Sequence, residues 1–579
     1  MRFRVVILFL LFGDSISGDA TDETCVVRFL DTGSIGIGIP SETFNRVPYC
    51  QYLGVRYAEP PVGSLRFKNS VISNPRGVEN YTVLGNICPQ DDDFRNPQEI
   101  IGDEDCLFMN IFSPRRENNG TNLARRKFPV LVFIHGGSFM VGSAVVDMKN
   151  GADLLVDSGI MVVSINYRLT RLGFLRYPEF NVSGNFGLKD QRTALQWVQN
   201  NIEYFGGDPQ RVTLMGQSAG AGSICYHMYS EQSRGLFQQL FPLGGSFLGS
   251  WALNFNQHES AERLITALNV TSLEELQSID FKQLFVRDNY EIFGFFTMFY
   301  PSFIPTVEDV SDEEPFITQT PFDIIKTELA NPIPVLIGHS ETEFELLLGY
   351  AKFLYMGENF PNKNRSVIEN VPWLIDYYNA SSGDENFYRK MANMANLYYP
   401  IKRLIKTWSR QDSPIYYFKF GFDGKFGYYK NEFYKSRTNG SRYGAVHGDD
   451  LGYIFTPYNV KEALANRSQF NREWKVHEQM VELVANFVKY GNPTPKPLKK
   501  LNLTWIPYND KASGGRYLSI DKTLELRMDD DSDNELFKLW DDIFPCIYYF
   551  ECENLQKRLD NTDSSDEKSQ EDVDEENEI

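Results

Sequence analysis

Cysteine is scarce in this sequence, with only seven residues among 579. So few cysteines cannot form a disulfide scaffold, and a hydrophobic core must therefore hold the fold together. Apolar residues make up 42% of the chain and supply the material for such a core. The sequence contains no C-x-x-C pair and no Cys/His cluster with metal spacing, so we expect no zinc site. Because seven is odd, at least one thiol stays free or pairs with another molecule.

Positive charge is also in deficit: 57 Lys and Arg stand against 77 Asp and Glu, a formal net charge of -20. A field of that sign repels nucleic acid, and no long Lys/Arg cluster opposes it, so we expect no nucleic-acid partner. The excess is uneven, since Asp560–Glu578 holds ten acidic residues and only one basic residue, Lys568. This segment has almost no apolar side chain, and the sequence therefore predicts a disordered acidic tail over 560–579.

Long apolar runs are missing from the chain except at its beginning. Val5–Phe12 is such a run, with Arg2 and Arg4 before it and the small residues of Gly13–Ala20 after it. This three-part pattern is typical of a secretory signal peptide, which we place at residues 1–20. No other run is long enough for a membrane span, so we expect a secreted, extracellular protein or one in the lumen of the secretory pathway.

Glycosylation signals are frequent along the rest of the chain, which fits export. N-x-S/T sequons begin at Asn80, Asn119, Asn181, Asn269, Asn364, Asn379, Asn439, Asn466 and Asn502. Neither a repeat of 20–50 residues nor a Ser/Gly-rich linker divides this part of the sequence. We therefore predict a single domain over residues 21–559.

Short apolar runs alternate with a helical pattern in the first half of the domain. Val130–Ile134 and Ile160–Ile165 are continuous apolar runs, typical of parallel strands buried on both faces. Between Leu188 and Phe205 apolar residues recur at steps of three and four or their sums, which predicts an amphipathic helix before a strand at Arg211–Met215. Residues 26–57 instead alternate and predict a small antiparallel sheet. The fold class is therefore α/β, with a large, mostly parallel sheet flanked by helices.

The segment Gly216–Gly220 reads G-x-S-x-G between the predicted strand and a predicted helix at Ala221–Tyr229. In this context the serine, Ser218, occupies a strained strand-to-helix turn that exposes its hydroxyl. The flanking glycines remove side chains that would collide with the neighbouring strand and helix. The N-terminus of the helix favours the anion that forms during acyl transfer. We predict that Ser218 is a catalytic nucleophile.

A serine hydroxyl needs a general base, and the sequence offers only six histidines for that role. His447 lies in the glycine-flanked segment Gly444–Asp450, late in the chain. Enzymes with such a serine turn order their residues serine, acid, histidine, so we predict that His447 is the base. His227 follows Ser218 on the same predicted helix and is expected to point away from its hydroxyl.

The remaining four histidines are weaker candidates for the base. His135 lies in a glycine turn, and His258 and His477 lie in polar, helix-like segments where we expect exposure to solvent. His339 follows the strand-like segment Pro334–Ile337 and is harder to exclude.

The acid that orients the imidazole is expected at the end of a strand between the serine and the histidine. Ile333–Ile337 is such a strand, and Glu341, Glu343 and Glu345 follow it. The residues by themselves do not choose among these three carboxylates.

From roughly residue 26 to 545 the chain resembles the type-B carboxylesterase/cholinesterase family of α/β-hydrolases, and within it most of all the arthropod carboxylesterases. Seven motifs carry the resemblance: Tyr52–Gly63, Glu104–Asn110, His135–Gly137, Asn166–Arg168, Gly187–Gln191, Phe205–Pro209 and Gly216–Gly220. In this order and combination they are highly specific. The resemblance implies the α/β-hydrolase fold and the hydrolysis of carboxylic esters.

The same resemblance assigns roles to individual residues. The family's acid lies five residues after a strand-terminal glycine, which from Gly338 leads to Glu343. Its oxyanion donors correspond to the backbone N–H groups of Gly136, Gly137 and Ala219.

The resemblance also implies structural features around these residues. It implies a disulfide between Cys88 and Cys106, and leaves the other five cysteines unassigned. Two buried ion pairs are implied, Arg66 with Glu104 and Arg168 with Asp190. Gly244 stands where the family commonly has a serine whose hydroxyl supports the acid.

The implied reaction is two-step ester hydrolysis of a small molecule through an acyl-enzyme, and it needs no cofactor. Pro89–Asp105 contains no Trp, which a choline-binding member is expected to carry there, so cholinesterase activity is disfavoured. A juvenile-hormone-esterase-like enzyme and a neutral lipase are the alternatives among enzymes. A non-catalytic cholinesterase-like binding or adhesion protein is the alternative of another class.

Overall fold

The structure is a computed structural model. It describes residues 25–92, 96–115, 127–144, 150–254, 257–285, 302–329, 331–343, 393–427, 444–457, 466–497, 503–512, 514–528, 532–549, 553 and 557. The predicted signal peptide at 1–20 and the predicted tail at 560–579 lie outside these residues, as does Glu345.

The strands of the described residues are short in the small sheets and longer in the central one. In chain order they are β1 (Val26–Arg28), β2 (Ile35–Ile37), β3 (Ile39–Glu42), β4 (Pro48–Arg56), β5 (Val78–Asn80), β6 (Gln90–Asp92), β7 (Asn96–Ile101), β8 (Phe108–Pro114), β9 (Phe128–Ile134), β10 (Asn150–Gly151), β11 (Met161–Ile165), β12 (Gly207–Gln217), β13 (Gln239–Leu243), β14 (Val335–Ser340), β15 (Ile415–Phe420), β16 (Thr456–Pro457), β17 (Arg516–Ile520) and β18 (Leu524–Met528).

The central sheet contains eleven strands in the order β18-β17-β15-β14-β13-β12-β9-β11-β8-β4-β3. Its middle, from β17 to β11, is entirely parallel. Antiparallel strands extend both edges: β18 on one side, and β8, β4 and β3 on the other. The large, mostly parallel sheet that the sequence predicts is thereby confirmed. The carboxyl ends of its parallel strands share one edge, where residues distant in sequence meet.

Helices cover both faces of this sheet. They are Asp153–Asp157, Thr170–Phe174, Phe186–Asn201, Ala219–Tyr229, Gln257–Leu268, Leu273–Ser278, Pro321–Ile324, Tyr399–Trp408, Asn471–Tyr490 and Ser532–Tyr549. Each face packs a separate core, as β14 illustrates: Ile337 belongs to the core that includes helix Phe186–Asn201, and Leu336 to the core that includes helix Asn471–Tyr490. None of the helices that the structure describes is long and apolar enough to cross a membrane.

The small N-terminal sheet is present, and it is shorter than the alternation of residues 26–57 indicates. β1 and β2 are antiparallel, and β5 adds to β2 in parallel. Residues 39–56 instead form β3 and β4 at the edge of the central sheet, with β4 antiparallel to β8. An alternation of apolar and polar residues indicates a half-buried strand, but it does not indicate which strand pairs with it. A disulfide between Cys25 and Cys50 joins the start of the small sheet to β4.

The predicted elements of the central region recur with shifted ends. The helix predicted at Leu188–Phe205 is Phe186–Asn201, because residues 202–206 continue in tighter turns, in which Phe205 N–H donates to Ile202 O at 3.1 Å. The strand predicted at Arg211–Met215 is Gly207–Gln217, and the helix predicted at Ala221–Tyr229 begins at Ala219. The apolar pattern continues into the turns next to each element, so it does not mark where a helix or strand begins or ends.

Candidate active site

Ser218 lies between the end of β12 and the helix Ala219–Tyr229, at the carboxyl edge of the parallel strands. Its backbone angles are φ 56° and ψ −120°, a region that L-residues rarely adopt. Two backbone hydrogen bonds hold this strained geometry: Ser218 N–H donates to Leu243 O at 2.9 Å, and Gly222 N–H donates to Ser218 O at 3.0 Å. The turn has the form of a nucleophile elbow.

The two glycines of the elbow make room for close backbone contacts. A Cβ on Gly216 would lie 2.2 Å from Gly220 O in the helix, and a Cβ on Gly220 would lie 2.1 Å from Ile134 O in β9. Both distances are far below van der Waals contact, so any side chain there would force the helix away from the sheet. The glycines therefore permit the sharp reversal that presents Ser218.

His447 and Glu343 are hydrogen-bonded to each other, through Nδ1 of the imidazole and Oε2 of the carboxylate. The backbone joins the same two residues, since His447 N–H donates to Glu343 O at 3.1 Å. Oε1 of Glu343 accepts from Ser340 N–H at 2.6 Å. Glu343 is buried, whereas Glu341 is exposed. The structure thus brings Glu343 to His447.

Gln217 connects this pair with the serine turn, and the sequence analysis missed it. With Nδ1 of His447 facing a carboxylate, its Nε2 is left as an acceptor, and Gln217 Nε2 lies 3.2 Å from it. Because Gln217 precedes Ser218 in the chain, the imidazole stands beside the elbow. The position of Gln217 inside the G-x-S-x-G motif is the sequence signal that could have identified it.

The predicted oxyanion donors lie around the same turn. A Cβ on Gly136 would be 2.8 Å from Ser218 Cβ, so the Gly136 backbone touches the serine directly. Gly137 has φ +103°, and its carbonyl accepts from the N–H groups of Met140 and Val141 at 2.9 and 3.0 Å. Ala219 is the first residue of the helix that follows Ser218, where backbone N–H groups lack partners within the helix.

Gly244 borders the Glu343–His447 pair. A Cβ at this position would lie 3.3 Å from Glu343 Oε1 and 3.4 Å from His447 Nδ1. The backbone has φ +57°, which favours glycine. The absence of a serine hydroxyl at position 244, noted from the sequence, therefore changes the immediate surroundings of Glu343 and His447.

Asp450, three residues after His447, is a second residue that the sequence analysis missed. It is buried, and neither carboxylate oxygen has a hydrogen-bond partner among the described residues. Burial, together with the negative charges of Glu343 and Asp449, raises the pKa of Asp450 well above its ordinary value.

The histidines other than His447 are accounted for individually. His227 is buried and bonded to Ser233 and Gln191 by its two ring nitrogens, so it does point away from Ser218. His258 is exposed, as expected. The exposure expected for His477 is wrong: it lies on the buried stripe of helix Asn471–Tyr490, with Trp474 and Val481 at helical spacing.

Two further histidines lie near the elbow without reaching it. His135 is buried, stacks on Tyr167 with ring centroids 4.4 Å apart and contacts Gly136 O through Nδ1. Burial lowers its pKa to about 4. His339, in β14, is buried and bonded to Tyr417.

The cysteines and ion pairs expected around the site are present. Cys88 and Cys106 form a disulfide, and Cys225 is a free, buried thiol. Arg66 pairs with Glu104 at 2.6 Å and Arg168 pairs with Asp190 at 2.6 Å, all four side chains being buried. A third buried pair, Lys189 with Glu308 at 2.7 Å, was not anticipated. Because removing one partner strands a buried charge, these pairs support the scaffold.

A serine elbow after a parallel strand, together with an acid and a histidine from later strand ends, defines the α/β-hydrolase class. Residues 27–540 match the Carboxylesterase family. The chain belongs to this family, and the ester hydrolase class predicted from the sequence is confirmed.

Related proteins agree with this assignment. The juvenile hormone esterase of Tribolium castaneum is 30% identical over 528 residues, which span 83% of this chain and 86% of that protein. Esterase FE4 of Myzus persicae is 31% identical over 542 residues, 86% of this chain and 89% of that protein. The crystal structure of juvenile hormone esterase from Manduca sexta, with OTFP covalently attached, superposes with a TM-score of 0.74 at 25% identity, covering 90% of this chain and 99% of that one.

Proposed function

We propose that this chain is a secreted serine carboxylesterase in which Ser218, His447 and Glu343 form a catalytic triad. One observation carries the proposal. His447 is hydrogen-bonded through Nδ1 to the buried Glu343, and its Nε2 faces Gln217, the residue next to the strained Ser218. A carboxylate bonded to an imidazole, next to a serine in a strained turn, supplies the parts that activate a hydroxyl, which supports the proposal.

The proposed reaction proceeds in two steps. Ser218 Oγ attacks the ester carbonyl carbon while His447 Nε2 takes the hydroxyl proton. The carbonyl oxygen becomes an anion, which the N–H groups of Gly136, Gly137 and Ala219 stabilise. His447 then returns the proton to the departing alcohol, which leaves an acyl-enzyme. Water, deprotonated by His447, attacks the acyl carbon. The bond to Ser218 Oγ then breaks, His447 returns the proton to Oγ, and the acid leaves.

Replacement of the serine tests this proposal. Ser218→Ala should lower kcat on a short-chain ester by about a thousandfold or more, because covalent catalysis is lost. Labelling with a fluorophosphonate and peptide mapping should locate the probe on Ser218 in the wild type and nowhere in the variant. Ser230→Ala, at the far end of the same helix, is the matched control and should keep full activity. Retention of more than a few per cent of activity by Ser218→Ala would contradict the assignment.

A juvenile-hormone-esterase-like specificity is the second candidate, and the similarity to the Tribolium castaneum and Manduca sexta enzymes favours it. A juvenile hormone is an apolar ester, so its hydrolysis fits the same chemistry. Comparing kcat/KM for such a hormone with that for short-chain esters and for emulsified long-chain triglycerides separates this enzyme from a general carboxylesterase and from a neutral lipase.

We also propose that the protein is exported and that its chain has three parts. These are a signal peptide at 1–20, one catalytic domain at 21–559 and an acidic tail at 560–579. The asparagines of four described sequons, Asn80, Asn181, Asn269 and Asn466, are all exposed, which supports glycosylation during export. N-terminal sequencing of the secreted protein and its mass before and after N-glycan removal test this proposal. An uncleaved N-terminus or an unchanged mass would oppose it.

A further inference from the structure

His339 lies in β14 and presents both ring nitrogens to hydrogen-bond partners. Nδ1 is 2.7 Å from Ser340 O, and Nε2 is 2.8 Å from the Tyr417 hydroxyl. A carbonyl oxygen can only accept, so Nδ1 must carry the hydrogen and donate it. Nε2 is then an acceptor and receives the hydrogen of Tyr417. The two contacts together fix the tautomer and the orientation of the ring.

The surroundings keep this ring neutral. His339 is 5% exposed, and burial lowers its pKa to about 4. Lys419 and Lys402 act in the same direction, while the carboxylate of Glu343 opposes them. Among the residues that the structure describes, the rings of Tyr398 and Tyr417 also face His339. His339 is therefore a neutral hydrogen-bond donor over the pH range in which esterases are assayed.

Ser340 links His339 to the acid of the site. Its carbonyl accepts from His339 Nδ1, and its own N–H donates to Glu343 Oε1 at 2.6 Å. The other carboxylate oxygen of Glu343 meets His447. Hydrogen bonds on either side of the Ser340 backbone thus link Tyr417, inside the sheet, to the imidazole of His447.

We propose that His339 is a positioning residue: by holding the backbone of Ser340, it aims the Ser340 N–H at Glu343 and so fixes the carboxylate against His447. The inference rests on the proposed function, in which Glu343 orients His447. It explains why a buried polar ring stands on a strand face that is otherwise apolar, with Ile337 and Val335 before it. An apolar side chain would fill the space without restraining Ser340 O.

The test compares three substitutions of His339. Asn places its amide nitrogen near the position of Nδ1 and still reaches Ser340 O. Leu has the shape of Asn without the donor, and Gln reaches towards Tyr417 instead. We expect His339→Asn to keep kcat within about threefold, and His339→Leu and His339→Gln to lose about tenfold in kcat at unchanged KM, because a small misplacement of a catalytic group slows the chemical step.

The pH profile separates positioning from mere folding support. When Glu343 is held loosely, the imidazolium of His447 loses part of its stabilisation and gives up its proton more readily. The acidic limb of kcat should therefore move to lower pH in the Leu and Gln variants, and stay in place in the Asn variant. Melting temperatures of all variants report stability separately. If the Leu variant does not fold, the Gln variant provides the same comparison with Asn.

Two results would overturn the inference. One is equal kcat and equal pH profiles in the Asn, Leu and Gln variants; the other is a loss in the Asn variant as large as in the Leu variant. Glu343→Gln is measured alongside. If it is inactive while all three His339 variants are normal, the inference alone fails. If Glu343→Gln is itself fully active, the proposed triad fails as well.

Discussion

Each oxygen of the Glu343 carboxylate has its own partner, Ser340 N–H for one and His447 Nδ1 for the other. In Glu343→Gln an amide NH₂ replaces one carboxylate oxygen. A hydrogen-bond donor then faces the donor of either Ser340 or His447. The carboxamide must then either turn away from Ser340 or force His447 into the wrong tautomer. The consequence for the proposed triad follows from this single atom.

We therefore expect Glu343→Gln to lower kcat by at least about a hundredfold, since the wrong tautomer removes the base from Ser218. Glu341→Gln is the matched control: its side chain is exposed, so activity should stay within about twofold. Steady-state kinetics on one neutral ester check both variants. A larger loss in the Glu341 variant would transfer the role of the acid to Glu341.

For single residues, the sequence predicts the roles that a local sequence pattern defines. Ser218 follows from a five-residue motif, and His447 from a glycine-flanked segment late in the chain. Glu341, Glu343 and Glu345 have similar surroundings in sequence, and the contact with His447 distinguishes Glu343 from Glu341. Asp450 and Gln217 escaped notice because their significance lies in burial and contacts, which a single sequence does not display.

The helix Ala219–Tyr229 and β9 approach each other as closely as backbones can. This approach places the first turn of the helix over the end of the strand, with Gly220 against Ile134 O. A position two residues further along the same helix is different. A Cβ on Gly222 would have its nearest neighbour, the Trp251 ring, at 3.6 Å, an ordinary van der Waals distance.

We expect Gly220→Ala to destabilise the fold by about 1–3 kcal/mol or more, because the methyl group must displace the helix from the sheet. Activity should fall with it, since Ser218 moves with the helix. Gly222→Ala in the same helix should be neutral or stabilise by up to about 1 kcal/mol through helix propensity. Urea unfolding and kcat for both variants provide the check. Similar stability of the two variants would show that the helix can shift without cost.

Element types follow from apolar periodicity in this chain, whereas element partners do not. Val130–Ile134 and Ile160–Ile165 correctly predict β9 and β11, because strands buried on both faces need continuous apolar runs. β4 has the alternating pattern of the small sheet, yet pairs with β8. Pairing depends on chain topology and on the edge that a neighbouring strand leaves open.

Across the whole molecule the two cores enclose polar groups as well as apolar ones. Four histidines are buried: His135, His227, His339 and His477. Burial lowers their pKa values to about 4, 3, 4 and 4, respectively. Within the part of the chain that the structure describes, burial acts in the opposite sense on two carboxyls, raising the pKa of Asp153 to about 6 and that of Asp450 well above its ordinary value.

These shifts determine the sign of the pH dependence of stability. Between about pH 4 and 6.5 the unfolded chain protonates the four histidines and the folded chain does not, so their contribution to stability is lost as the pH falls. The raised pKa values of Asp153 and Asp450 act in the opposite sense, so the stability that these carboxyls contribute is lost as the pH rises. Among the groups that the structure describes, four histidines against two carboxyls leave the unfolded state about two protons ahead, and the histidines decide the sign.

The free energy of unfolding should therefore fall on acidification from pH 6.5 to 5, with a slope of about 2.7 kcal/mol per pH unit near pH 5. Urea unfolding at several pH values measures this slope. His477→Asn, which can keep the contact of Nδ1 with Tyr453 O, should reduce it by about half, because one of the two excess protons disappears. His258→Asn changes an exposed side chain and should leave the slope as it is. A free energy of unfolding that stays level or increases on acidification would mean that the buried carboxyls outweigh the histidines, and that the interior of this fold is governed by its acids.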